Sequence, residues 1–492
     1  MSAALAEVSE VPIPSFLATN RGKLTLAFLC MVGFLDFVDA SIVNVALPSI
    51  RRDLHFSLES LQWVLSGYLL TYGGFMLLGG RAADLLGRRR ILASGITLFA
   101  LASLTAGLSS GSAVLIGARL VQGLGAAMML PSALSILTTS FHEGTDRHKA
   151  LGAWGGIAGL ASGVGVFLGG VLTETESWRW VFWVNLPVSA VLLFATFRIV
   201  EPDTRAPGAR DFDLLGAFLG TGMMLLLIFT LVKAPDVGWG SGRTTGGLVG
   251  TVALLLGFLA HERRHRNPLV PLSIFRIPGL AAADATQVIA MAGFYSMFFF
   301  ITLYMQDVLG FSQLQAGSAY IPVTITVAIS AGIASTLFAR VGTRPVIVGG
   351  ALIAAVAVYW LSKIPVDGSY LHDLLPPMVI MALGLGWVFV GVNTAANAGV
   401  PPDKAGLAAA LVNTSTWLGG ALGLAIFSVI ANSRTTDLLA GGSDPASAST
   451  GGFQRALTAC AVFLAVAAVI ALRATNTRGE ATIDAVPAVE SA

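Results

Sequence analysis

Apolar runs of about 20 residues, each long enough to cross a bilayer as a helix, follow one another along most of the chain, separated by short polar turns. About fourteen such runs can be counted between residues 24 and 472. An even number places both ends on one side, and Lys and Arg select that side. Most of the 29 Lys and Arg fall in the segments that share a side with the termini, including Arg88-Arg89-Arg90 and Arg263-Arg264-His265-Arg266, so the pattern predicts cytoplasmic ends. The longest connection, 432–453, is rich in Gly, Ser and Ala and reads as a flexible loop. A weak internal repeat divides the chain. Asp84-Leu85-Leu86-Gly87-Arg88-Arg89 follows the second run, and Ala339-Arg340-Val341-Gly342-Thr343-Arg344 follows the tenth. The expected organisation is a tail (1–23), six helices (24–200), two inserted helices (212–260), six more helices (279–472) and a second tail (473–492).

Composition fits this all-α membrane class. The 492 residues are 55% hydrophobic and 11% charged, with mean hydropathy +0.78, whereas soluble domains carry roughly 25% charged residues. The net charge of +2 gives no reason to expect nucleic acid as a partner. Cys30 and Cys460 lie in apolar runs and read as small core residues. The polar start, with Pro12 and Pro14, lacks the layout of a cleaved signal, so the first helix is expected to be retained.

Charges at membrane depth are costly and therefore informative. The first run holds Asp36 and Asp39, three residues apart on one helical face, which reads as the inner wall of a transport pathway. Carboxylates about 6 Å apart repel by about 3 kcal/mol at an effective dielectric of 20, so the two are expected to hold a proton jointly. Arg119 is the one Lys or Arg well inside a predicted helix. It lies about 11 Å from the outer end of the fourth run, and Asp39 about 12 Å from the outer end of the first. Such a pair can carry a proton or form a fixed ion pair. Gln122, one turn from Arg119, is a candidate for the same network or for the cavity wall. Asp284, in the ninth run, is the remaining proton-coupling candidate. Tyr295, Phe298 and Trp387 offer aromatic faces to a substrate, and Asn393 and Asn413 polar contacts, although packing is the more frequent role of such residues. Gly159, Gly163, Gly165, Gly169 and Gly170 would let the fifth helix pack closely and hinge. His142, His148, His261 and His265 fall in polar connections and read as solvent-exposed. No nucleotide loop, metal-ligand spacing or nucleophile–base pair is seen, so neither an enzyme nor a cofactor or metal is expected.

The stretch Gly80-Arg81-Ala82-Ala83-Asp84-Leu85-Leu86-Gly87-Arg88-Arg89-Arg90 resembles the cytoplasmic loop signature of the major facilitator superfamily, with Ala82 where that family usually has Leu. The resemblance implies two six-helix halves rocking about a midplane cavity, with Gly80, Asp84, Gly87, Arg88 and Arg89 forming a cytoplasmic gate. Asp39-Ala40-Ser41-Ile42-Val43-Asn44-Val45-Ala46-Leu47-Pro48, Arg119-Leu120-Val121-Gln122-Gly123-Leu124-Gly125 and Trp178-Arg179-Trp180-Val181-Phe182-Trp183-Val184-Asn185-Leu186-Pro187 are similar to signatures of the fourteen-helix drug:proton antiporters. This narrower likeness implies a role for Arg119 in proton transfer. Val166 stands where those antiporters usually carry a helix-bending proline, and Asp36 has no counterpart among them. The resulting expectation is a monomeric, multi-pass protein of the plasma membrane that exports amphipathic organic compounds in exchange for protons. An exporter dedicated to one metabolite or lipid is the alternative.

Overall fold

The computed structural model describes residues 16–141, 145–203, 213–265, 268, 270–400 and 405–478, apart from a few positions within helices, Asp84 and Gly159 among them. These residues form α1 (Asn20–Leu54), α2 (Leu58–Leu86), α3 (Arg88–Gly107), α4 (Ser112–Ser140), α5 (Thr145–Thr175), α6 (Trp180–Ile199), α7 (Leu214–Val237) and α8 (Gly242–Glu262). After them come α9 (Leu280–Val308), α10 (Gln313–Ala319 continued by Ile321–Val341), α11 (Thr343–Leu361), α12 (Tyr370–Asn397), α13 (Ala405–Ala440) and α14 (Pro445–Ala471). Among the described residues, twelve of these helices are long and apolar enough to span a membrane; α5 and α7 contribute shorter apolar stretches, Gly163–Thr175 and Leu215–Leu231.

The helices begin where a short polar side chain can take the orphan backbone donors of the first turn. Thr19, Ser57, Ser241 and Ser312 each accept from an N–H of the turn that follows. In the amino-terminal half α4 packs between α2 and α3, while α1 packs on α5. In the carboxy-terminal half α11 packs on α12 and α14, and α9 on α13. The halves meet through α2 against α13 and through α5 against both segments of α10. The inserted α7 and α8 pack mainly on each other and touch the bundle through α2 and α13. The face of the bundle carrying both chain ends is called the near face below, and the opposite one the far face.

The 432–453 stretch is helical instead of a flexible loop. α13 continues to Ala440 and α14 begins at Pro445. Ala, Ser and Thr tolerate helix well enough when neighbours pack on them. The actual break is Gly441-Gly442, with Gly442 at φ 87°, followed by Asp444 as N-cap and Pro445 in the first turn. Bonds from the Ser447 hydroxyl and backbone N–H hold the Asp444 carboxyl below the usual carboxylate range.

The internal repeat is visible in how two helices are capped. Gly87 (φ 108°) precedes α3, and Gly342 (φ 86°) precedes α11. Both conformations are left-handed and suit glycine. In the first half Asp203, just beyond α6, accepts from the N–H groups of Arg89 (2.9 Å) and Arg90 (3.1 Å). In the second half Asn476, just beyond α14, accepts from Arg344 N–H (3.1 Å). Each half thus caps its third helix with a side chain from beyond its sixth, a carboxylate in one case and an amide in the other.

Candidate functional site

Asp39, Arg119, Gln122 and Asn185 form a fully buried network in the amino-terminal half. Arg119 Nη1 lies 2.8 Å from Asp39 Oδ2 and donates to Gln122 Oε1 (2.7 Å), while Nε donates to the Val64 carbonyl (2.9 Å). Gln122 and Asn185 each donate to Asp39 Oδ1 at 2.7 Å, and both also reach the Ser103 hydroxyl. A buried ion pair survives only when its remaining donors and acceptors are satisfied. Here the Val64 carbonyl of α2, Ser103 of α3, Gln122 of α4 and Asn185 of α6 meet that need for all but Arg119 Nη2.

Asp36 belongs to a second network. Its Oδ1 accepts from the Tyr68 hydroxyl (3.0 Å), and its Oδ2 accepts a short bond from Tyr72. The two carboxylates therefore have separate hydrogen-bond partners. They do not form the wall of the pathway. The cavity between the halves is lined on α1 by Phe37, Ala40, Ser41 and Asn44, with Asp36 and Asp39 behind that face. The reason is energetic: a carboxylate aimed at a largely apolar cavity loses its donors, whereas one turned into its own half finds two or three.

Tyr68 connects the parts. Its ring lies 4.1 Å from the Arg119 guanidinium carbon, its hydroxyl holds Asp36, and it lines the cavity. Arg119 lines the cavity too, and its Nη2 has no hydrogen-bond partner. From the opposite half come Tyr295, Phe298, Phe294, Thr324 and Trp417. Trp417 stacks on Tyr72 at 4.3 Å between centroids. The enclosed space is about 100 Å³, well below the roughly 300 Å³ that a drug-sized ligand occupies, so the halves are drawn together around it. A larger hollow of about 610 Å³ opens at the near face among the ends of α1, α2, α4 and α6. It lies within one half and away from the networks.

Between described residues, the hydrogen bonds and ion pairs that cross the halves lie from the level of Asn44 toward the far face. Asn44 donates to Thr302 (2.9 Å), Gln306 to the Val45 carbonyl (2.9 Å) and Gln313 to Ser49 (2.9 Å). Arg51 pairs with Asp307 (3.1 Å), and Glu174 accepts from Leu314 N–H (2.7 Å). Two of the α5 glycines meet the other half, Gly163 at Thr324 and Gly170 at the start of α10, while Gly165 and Gly169 pack on α1 within their own half. Gly159 lies outside the described residues.

The remaining sequence candidates are scattered. Asp284 on α9 is 8% exposed, and neither of its oxygens has a hydrogen bond of good geometry, although Ser415 on α13 is a neighbour. Trp387 packs in a separate apolar cluster with Ala334, Phe338 and Val346 and does not line the cavity. Asn393 and Asn413 donate to carbonyls one turn back, Phe389 and Ala409, and are also absent from the cavity wall. Gln122 sits in the ion-pair network instead of that wall. Gly80 packs on Pro131, Arg88 bonds Thr139 (3.0 Å), and Arg89 bonds the Phe197 carbonyl (2.9 Å); these contacts stay within one half. Asp84 lies outside the described residues. Tyr68, Tyr72, Asn185 and Trp417 were not singled out by sequence reasoning. The available signals were the i, i+4 tyrosine pair and an asparagine beside Leu186-Pro187.

The model of the Major Facilitator Superfamily matches residues 29–424. The chain belongs to that superfamily. As a multi-pass membrane protein of this family, it is 38% identical over 421 residues to the cephamycin export protein CmcT of Amycolatopsis lactamdurans, covering 85% of this chain and 87% of that one. It is 36% identical over 485 residues to the puromycin resistance protein pur8 of Streptomyces alboniger, covering 96% of each. Among solved structures, a bacterial homologue of the human lysosomal transporter Spinster, inward-facing and unoccupied, superposes with TM-score 0.66 at 16% identity, covering 92% of this chain and 97% of that one. That likeness concerns the fold.

Proposed function

We propose that the protein is a proton-coupled exporter of amphipathic organic compounds in the plasma membrane, with the near face cytoplasmic and Asp39 as its principal proton carrier. The single observation carrying this reading is the buried Asp39–Arg119 pair placed directly behind an aromatic cavity between the halves, with Tyr68 touching both. While Asp39 is ionised, it neutralises Arg119 and the cavity accepts an apolar or cationic compound on Tyr68, Tyr295, Phe298 and Trp417. A proton arriving on Asp39 from outside leaves Arg119 uncompensated beside those rings. The freed charge weakens the hold on a cation and loosens the network joining α1, α4 and α6. Substrate and proton thereby exclude one another, which antiport requires. The contacts at the far face describe a state closed to the exterior. In the opposite state, Asp84, Gly80, Gly87, Arg88 and Arg89 would close the near face, Arg88 and Arg89 giving up their present partners. Asp36 and Asp284 are secondary carriers in this scheme.

The names of the relatives, cephamycin export and puromycin resistance, support organic, antibiotic-like cargo. A second reading is an exporter dedicated to one compound, favoured by the single compound in each of those names. Transport from proteoliposomes under an imposed pH gradient, with a panel of chemically unrelated compounds, tests both. Gradient-dependent transport of several classes is the expected result. Transport of one class alone would favour the dedicated exporter, and indifference to the gradient would overturn proton coupling.

A further inference from the structure

The inserted α7–α8 pair carries a cluster that its transport partners do not use. Asp213 is the N-cap of α7, His261 stands in the last turn of α8, and His265 lies in the turn just beyond it, on the same near-face edge. Asp213 Oδ1 lies 2.6 Å from His261 Nε2, and Oδ2 lies 3.8 Å from His265 Nδ1; the imidazole centroids are 5.0 Å apart. The donor atoms of the three residues all lie within 4.8 Å of one another. Asp213 is 2% exposed at its side chain, and the two histidines 20% and 28%, so the cluster is sheltered and still reachable from water. Glu262, itself buried, converges on the same point. A Cβ on Gly216 would come within 2.5 Å of Asp213 Oδ2 and 2.7 Å of Glu262 Oε1. Its other oxygen accepts from Val270 N–H (2.9 Å), which ties the exit of α8 to the same place.

We propose that Asp213, His261 and His265 bind one divalent transition-metal ion of the zinc type, which clamps the base of the inserted helical pair. Ligands at about 2.0–2.1 Å around a tetrahedral ion sit about 3.3 Å from one another. The present Asp–His separations of 2.6 and 3.8 Å bracket that value, and all three donors lie within 4.8 Å of one another, so small shifts bring them into place. The turn after α8, closed by His265 N–H on the His261 carbonyl (2.8 Å), brings the two imidazoles to one side, and two nitrogens with one carboxylate favour zinc, nickel or copper over magnesium or calcium. The ion takes the place of the present hydrogen bond between Asp213 and His261. Water or Glu262 completes the coordination. The adjacent Arg263 and Arg264 repel a cation, so the affinity rests on the ligand set alone.

Isothermal titration of zinc into the purified full-length protein, stripped with chelator and freed of any polyhistidine tag, tests the site. One saturable ion per chain is expected. His261→Ala and His265→Ala should each weaken it by about tenfold or more, and the double variant should remove it. Cobalt(II) should give the visible absorption of a tetrahedral ion in the wild type and lose it in the double variant. Thermal unfolding of each metal-free variant, compared with metal-free wild type, confirms that the fold persists. Should His261→Ala fail to fold, His265→Ala, the more exposed position, carries the test by itself. Absence of a saturable zinc site, or equal affinity in wild type and the folded variants, overturns the proposal.

Discussion

The two halves of the bundle share a framework and differ in how they treat charge. In the amino-terminal half every oxygen of Asp36 and Asp39 is held, by two tyrosines in one case and by Arg119, Gln122 and Asn185 in the other. In the carboxy-terminal half Asp284 is buried with neither oxygen held, and the surfaces turned toward the cavity are mainly aromatic. Repetition of a six-helix unit therefore does not repeat its chemistry. One half is a preorganised polar machine. The other presents a ring surface that touches it through Trp417 on Tyr72, which in turn bonds Asp36. Such a division lets a charge change in one half alter the fit between halves while leaving the carboxy-terminal core intact.

The sharpest way to break this contrast is to remove Arg119. Arg119→Leu leaves Asp39 buried without its counter-charge, a loss of about 3–5 kcal/mol; thermal unfolding in detergent should show a large drop, and gradient-driven transport should vanish. Near-wild-type unfolding would show that the pair is not what holds the half together. Next in size is the link between halves. Trp417→Ala should weaken binding of an aromatic substrate by about tenfold, equivalent to 1.4 kcal/mol, and Trp417→Phe by much less, as equilibrium dialysis would show. A smaller effect separates the two caps. Asp203→Ala loses two N–H bonds and a carboxylate at a helix start, about 1 kcal/mol, whereas Asn476→Ala should cost less than half as much by thermal unfolding. The smallest effect belongs to Asp284. Asp284→Asn keeps the shape and can still bond Ser415, so unfolding should shift by no more than about 0.5 kcal/mol, with transport reduced less than in Asp39→Asn. A loss of transport equal to that of Asp39→Asn would dissolve the asymmetry.

The helix pattern, the repeat and the partnership of Asp39 with Arg119 were legible because isolated charges stand out in apolar runs and depth follows from counting along a helix. Counting along one helix does not reveal what packs on each side of it. Asp36 and Asp39 share a broad face of α1, yet α2 meets one and α4 with α6 the other, so their partners diverge. Tyr68, Tyr72 and Trp417 were hidden because buried aromatics look alike until their neighbours are known. His261 and His265 looked like loop residues because their partner, Asp213, is brought to them only by the return of the α7–α8 pair. The 432–453 stretch misled through composition: alanine and serine do not break a helix, and only Gly441-Gly442 does.

In the proposed mechanism substrate and proton compete through Asp39. Proton release on substrate addition measures it directly, using purified protein in weakly buffered detergent with a pH indicator. The wild type should release protons in a saturable manner as substrate is added, and Asp39→Asn, which still binds substrate by dialysis, should release almost none. Undiminished proton release from Asp39→Asn would contradict the account.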